Sequence, residues 1–136
     1  MHTQQHGIES EQVATAMGTL ADVLGFFVGD EEVPRLLEQS IAIFARVKGT
    51  LTLSVAAGEN NLGVVYQDRA KRAHTDNDLD RCVANWQLAL PRYREAARIY
   101  RALTFVEKAD SVTRDADAVE ETLRQVTIVR AASKIR

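Results

Sequence analysis

Between Asp78 and Leu103 the apolar residues Val83, Trp86, Leu90, Tyr93, Ala97, Tyr100 and Leu103 follow one another at steps of three or four. That is the spacing of one face of an α-helix, not the alternation of a half-buried strand. The same stepping recurs along the chain. Val13, Met17, Leu20, Leu24 and Phe27 predict a helix over roughly 11–27, and Leu36, Leu37, Ile41, Phe44 and Val47 a second that stops at Gly49. Val55, Leu62, Val65 and Tyr66, with Ala56 or Ala57, mark a third that extends toward Ala73. Val112, Ala116, Val119, Leu123, Val126 and Val129 or Arg130 mark a last one over about 107–132. The expected fold is therefore all-α, with about five helices. Only 7 Gly and 2 Pro punctuate 136 residues, fewer turn residues than a β-fold needs.

The breaks fall where cap and turn chemistry puts them. Ser10 reads as the first N-cap, and Gly29-Asp30 as a C-terminal stop followed by a new N-cap. Glu31 and Glu32 suit the next first turn, and Pro34 falls where no helical N–H bond is lost. His74-Thr75-Asp76-Asn77-Asp78 is the clearest turn cluster. Gly58 inside the third helix costs about 1 kcal/mol relative to alanine. Pro91, inside the fourth pattern, predicts a kink or break near residues 87–91. Residues 1–9 read as a flexible leader and 10–136 as one domain.

The chain also repeats itself. Thr19-Leu20-Ala21-Asp22-Val23 aligns with Asn61-Leu62-Gly63-Val64-Val65 at an offset of 42, and residues 38–47 align with 94–103 at an offset of 56. The difference of 14 falls in the polar segment Gln67–Asp80. Two hairpins, about 11–48 and 50–104, are expected from this, with the last helix, about 107–132, as a capping helix or the first helix of a third unit.

At these positions the sequence resembles the tetratricopeptide-repeat family. Asn60-Asn61-Leu62-Gly63-Val64-Val65-Tyr66 matches that family's first helix, in which a Leu-Gly pair is followed by Tyr. Residues 93–103 are similar to the second helix of the longer repeats of kinesin light chains. The resemblance implies a short α-solenoid of stacked helix-turn-helix hairpins, in which Gly63 or Ala21 permits close helix approach. It also implies a concave groove that takes an extended peptide or a partner helix. Carried over by position, the groove would comprise Thr19, Asp22 and Phe26 in the first unit and Asn60, Asn61, Val64, Gln67 and Asp68 in the second. Asparagine suits such a face because it donates to and accepts from a peptide backbone at once. The competing reading is the polar side of an ordinary surface helix.

Little else in the chain suggests chemistry. His2 and His6 stand four apart in the leader with no third ligand nearby, and His74 reads as a solvated turn residue. Cys82 lacks a His or Cys neighbour and reads as a structural thiol, consistent with a reducing compartment. Arg69, Lys71 and Arg72 face Asp76, Asp78 and Asp80 across the turn, either as weak surface pairs or as a docking surface. Trp86 reads as core, with a partner anchor as the alternative. No phosphate loop, nucleophile elbow or zinc-protease motif is present. The net charge of −2 gives no basic footprint for nucleic acid, and no apolar run approaches a membrane span. The expectation is a cytoplasmic, non-enzymatic scaffold or adaptor without cofactor or metal, binding other proteins and associating as a homo- or hetero-oligomer. The alternatives are a regulatory domain of a larger protein and a bundle that holds a small ligand.

Overall fold

The structure is a computed structural model and describes residues 11–21 and 32–135. It is all-α among these residues. α1 covers 11–21, α2 Glu32–Lys48, α3 Leu53–Thr75, α4 Leu79–Ala102 and α5 Val106–Ile135. The leader, Ser10, Gly29-Asp30, Glu31, Asp22, Leu24, Phe26 and Phe27 lie outside the described residues.

The helices stack in chain order: α2 packs on α3, α3 on α4, and α4 on α5. Ion pairs between the last two helices show their antiparallel register. Arg101 meets Asp110 and Arg94 meets Asp117, each at 2.8 Å, and Asp80 meets Arg130 at 3.8 Å. Numbers fall along α4 as they rise along α5. Successive helix hairpins thus share one continuous core, in which each element buries one flank against its neighbour.

Local chemistry explains the joints. Gly49 closes α2 with φ +96°, a left-handed value that glycine adopts freely. Thr52 caps α3 by accepting the Val55 N–H at 3.3 Å, and Asp78 caps α4 by accepting that of Arg81 at 3.2 Å. Asn77 takes φ 58° in the α3–α4 turn, a conformation asparagine tolerates. Thr104 takes φ 67° between α4 and α5, which strains a β-branched residue.

α4 is covered on both sides. Val83, Trp86, Tyr93, Ala97 and Tyr100 are buried as the spacing predicts, and so are Cys82, Ala89, Ala96 and Ile99. The second set lies beside the first because the central helix meets α3 and α5 at once. Pro91 does not break it: the helix runs unbroken from Leu79 to Ala102. α5 buries Ala109, Val112, Ala116, Val119 and Val126 as one stripe, whereas Val129 is more than half exposed. No described helix is long and apolar enough to cross a membrane.

α1 departs from expectation. Its inward residues are Ala14 and Ala21, not Val13 and Leu20, which are 45% and 48% exposed. The cause is close approach to α2. The buried Ser40 hydroxyl donates to the Ala14 carbonyl at 2.7 Å, and a Cβ on Gly18 would lie 3.9 Å from the Ser40 oxygen. Small residues fit that contact and larger ones turn away from it. The repeat at offset 56 fares better. Ser40 and Ala96 are both buried, as are Ile41 and Ala97, while Ala42 and Arg98 are both exposed.

Candidate functional site

α3 packs against α2 on one side and α4 on the other, and glycine permits close contact on both. A Cβ at Gly63 would stand 3.0 Å from Cδ1 and Cε1 of Tyr93 on α4. A Cβ at Gly58 would stand 2.6 Å from Ile41 Cγ1 on α2. The Gly58 that reads as a helix defect in sequence is therefore the seat of a close contact.

Between these contacts a polar seam joins α2, α3 and α4. Glu59 of α3 is only 6% exposed. One Arg92 nitrogen from α4 forks across its two carboxylate oxygens at 3.3 and 3.2 Å. The other Arg92 nitrogen reaches Glu38 Oε1 of α2 at 3.2 Å, and the same oxygen accepts the Tyr66 hydroxyl at 3.3 Å. Burial pushes the Glu59 carboxyl above its usual range, with Arg92 opposing and the charges of Glu95 and Glu38 reinforcing. Burial, then Glu38, likewise raises Tyr66. Tyr66 and Leu62 are both buried in the core, and the Tyr66 hydroxyl reaches α2.

The eight predicted groove residues divide. Asn61, Val64 and Asp68 are exposed at positions i, i+3 and i+7, so they share one solvent face of α3. Asn60 and Gln67 sit half-buried on the adjoining flank. Gln67 Oε1 accepts the Tyr93 hydroxyl at 3.0 Å, so its amide oxygen serves the α3–α4 contact. Asn60 carries a buried Oδ1 with no hydrogen-bond partner. Thr19 is exposed on α1, its hydroxyl donating to the Thr15 carbonyl at 3.0 Å. Asp22 and Phe26 lie outside the described residues.

The remaining reactive types are placed structurally. Cys82 is fully buried, and burial raises its thiol above the ordinary value, so it stays protonated at neutral pH. Trp86 is buried beside it on α4. Asp80 does not pair across the turn: Lys134 and Arg130 of α5 approach it at 3.4 and 3.8 Å. With Asn77, Asp78, Leu79 and Ser133 they line an open hollow of about 400 Å³ at one end of the stack. A second open hollow, of about 510 Å³, lies along Glu11, Gln12, Thr15 and Ala16. Among the described residues no three His, Cys, Asp or Glu side chains gather as a metal-ligand group.

Comparison with family models, with curated proteins and with solved structures gives no match.

Proposed function

We propose that this chain is a non-enzymatic interaction module whose α3 face takes an extended peptide or a partner helix. The observation that carries the reading is the Asn61–Val64–Asp68 stripe: an amide, an apolar side chain and an acid, exposed together on one helix. Its backing is rigid. α3 is held against α2 at Gly58 and Ile41, against α4 at Gly63 and Tyr93, and across both by Arg92. A face on a pre-organised element loses little conformational entropy on binding, which favours affinity. Two buried titratable groups are occupied in holding helices together, Glu59 by Arg92 and the Tyr93 hydroxyl by Gln67. Membership of a tetratricopeptide-like class belongs to the same proposal, and the approach of Tyr93 to Gly63 supports it, since close packing is what the Leu-Gly pair is for.

The test is comparative capture from an extract of the source cells. The full chain is used as bait beside Asn61→Glu and Asp68→Lys variants, with Glu121→Lys on the exposed face of α5 as control. Loss of the same partner from both α3 variants, and its retention by the control, is the expected result. An identical partner set for all four baits refutes the α3 assignment.

A further inference from the structure

We infer that the segment bound along α3 sets a lysine or arginine side chain between Asp68 of α3 and Asp115 of α5, at the edge where the Tyr93 hydroxyl meets Gln67. The inference deepens the α3 reading and rests on it, naming the chemistry that the face selects.

Three observations carry it. The first is a local surplus of negative charge. Beyond the first and last turns of the described helices, every acid meets an arginine except two, Asp68 and Asp115. Both are exposed. Among the described residues neither has an ion-pair partner, although Lys71 and Arg72 stand three and four residues beyond Asp68.

The second is placement. Tyr93 is where α4 meets both neighbours. Its ring lies against Gly63 and its hydroxyl donates to Gln67 at 3.0 Å on α3, while the adjacent Arg94 pairs with Asp117 and Glu120 of α5. At about 100° per residue, Asp115 falls on the opposite flank of the buried α5 stripe from Asp117 and Glu120. Asp68 follows Gln67 directly on α3. After burial, the charges of Asp115 and Asp68 are what raise the Tyr93 hydroxyl. Two unpaired carboxylates from two helices thus flank one point.

The third is a surplus of acceptors on the same flank. The Tyr93 proton is committed to Gln67 Oε1, and Asn60 Oδ1 is buried with no hydrogen-bond partner.

Charge complementarity selects the occupant. An ammonium brings three donors and a guanidinium five, and neither brings an acceptor. An acidic or apolar side chain laid there would desolvate the carboxylates without compensation. Val64, exposed one turn before Asp68, suits the apolar stem that lysine and arginine share.

The test uses degenerate nonapeptide pools whose central residue is fixed as arginine, lysine, glutamate or norleucine. Each labelled pool is titrated with the full chain and followed by fluorescence anisotropy. The arginine and lysine pools should bind about fivefold more tightly than the norleucine pool, and the glutamate pool least well. That advantage should shrink as salt rises. Asp68→Asn and Asp115→Asn should each reduce it, with helicity unchanged by circular dichroism. Changing both to lysine should pass the preference to the glutamate pool. Equal binding of the four pools overturns the inference, as does a basic preference that Asp115→Asn leaves intact, or no binding of any pool. Asp115 lies outside the α3 stripe, which separates the two readings. Pools that bind without charge preference and are weakened by Asn61→Glu overturn this inference and leave the α3 reading standing.

Discussion

The Tyr93 ring lies where a side chain on Gly63 would have to be, 3.0 Å from the position of an added Cβ. The ring has nowhere to retreat. Tyr93 is 2% exposed and its hydroxyl is tied to Gln67. Gly63→Ala gains about 1 kcal/mol of helix propensity but loses about 1–3 kcal/mol to overpacking. Net destabilisation is expected in urea unfolding, with an unchanged slope. Tyr93→Ala empties the site and costs more, about 3–5 kcal/mol.

Gly58 and Ile41 give a sharper version of the same contact, at 2.6 Å, and a β-branched partner cannot swing aside cheaply. Gly58→Ala and Ile41→Ala should each destabilise. The double variant should lose less than the sum, by about 1 kcal/mol or more, because the added methyl enters space that Ile41 vacates. Strict additivity in a double-mutant cycle contradicts the contact.

The seam makes a signed pH prediction. The folded-state pKa of Glu59 is raised above 4.5, so the folded chain holds this proton more tightly than the unfolded one. Its contribution is fully present below 4.5 and is lost as pH rises through the folded value. Glu95 runs the other way. The Arg98 hydrogen bond lowers its pKa, so its contribution is present above 4.5 and lost as pH falls below that value. Arg92→Met removes the group that opposes the Glu59 shift, so the Glu59 decline should steepen. It also leaves a buried carboxylate unpaired at neutral pH, at a cost of about 3 kcal/mol. In the Glu59→Gln chain that decline disappears. Denaturant unfolding at a series of pH values checks all three.

Tyr93 extends the argument to alkali. Burial, then the charges of Asp115 and Asp68, pushes its hydroxyl up to about 12. Stability from this group is present below 10.0 and is lost as pH rises through about 12. Tyrosinate absorbance should lag behind that of the urea-unfolded chain. Tyr93→Phe should remove part of that lag and cost about 1 kcal/mol through the lost hydrogen bond to Gln67.

The strained turn offers a stabilising change. Thr104 sits at φ 67°, where glycine loses nothing and asparagine little. Thr104→Gly should raise stability by about 1 kcal/mol and shift the thermal midpoint upward. A fall would mean that the threonine side chain contributes something its backbone does not reveal.

Much of this architecture is legible in the residues. Most of the stripe from Val83 to Tyr100 and of that from Val112 to Val126 is buried as the spacing requires, with Leu90 and Leu123 partly so, and Asp78 caps α4. What periodicity could not supply is which neighbour lies on which side. α1 is rotated because its partner is the small Ser40 face, a tertiary fact that leaves no mark on its own spacing. Pro91 is accommodated in an unbroken helix packed on both sides, where its sequence context argues for a kink or a break. No local pattern marks the seam, because Glu59 and Arg92 are 33 residues apart. One signal was available: Glu59 occupies the apolar stripe Val55–Leu62–Tyr66, where a lone acid needs a partner. Of the groove residues, Asn61, Val64 and Asp68 share a face, whereas the Gln67 amide oxygen is engaged by Tyr93.

The α3 face can be tested at a single residue. A photo-activatable amino acid at Val64, which is 40% exposed, is irradiated in an extract of the source cells, with the same group at Glu121 on α5 as control. The expected result is a discrete protein adduct from position 64 that is absent from position 121 and disappears with Asp68→Lys. Equal adducts at both positions, or none at 64, would contradict an α3 that serves as the binding face.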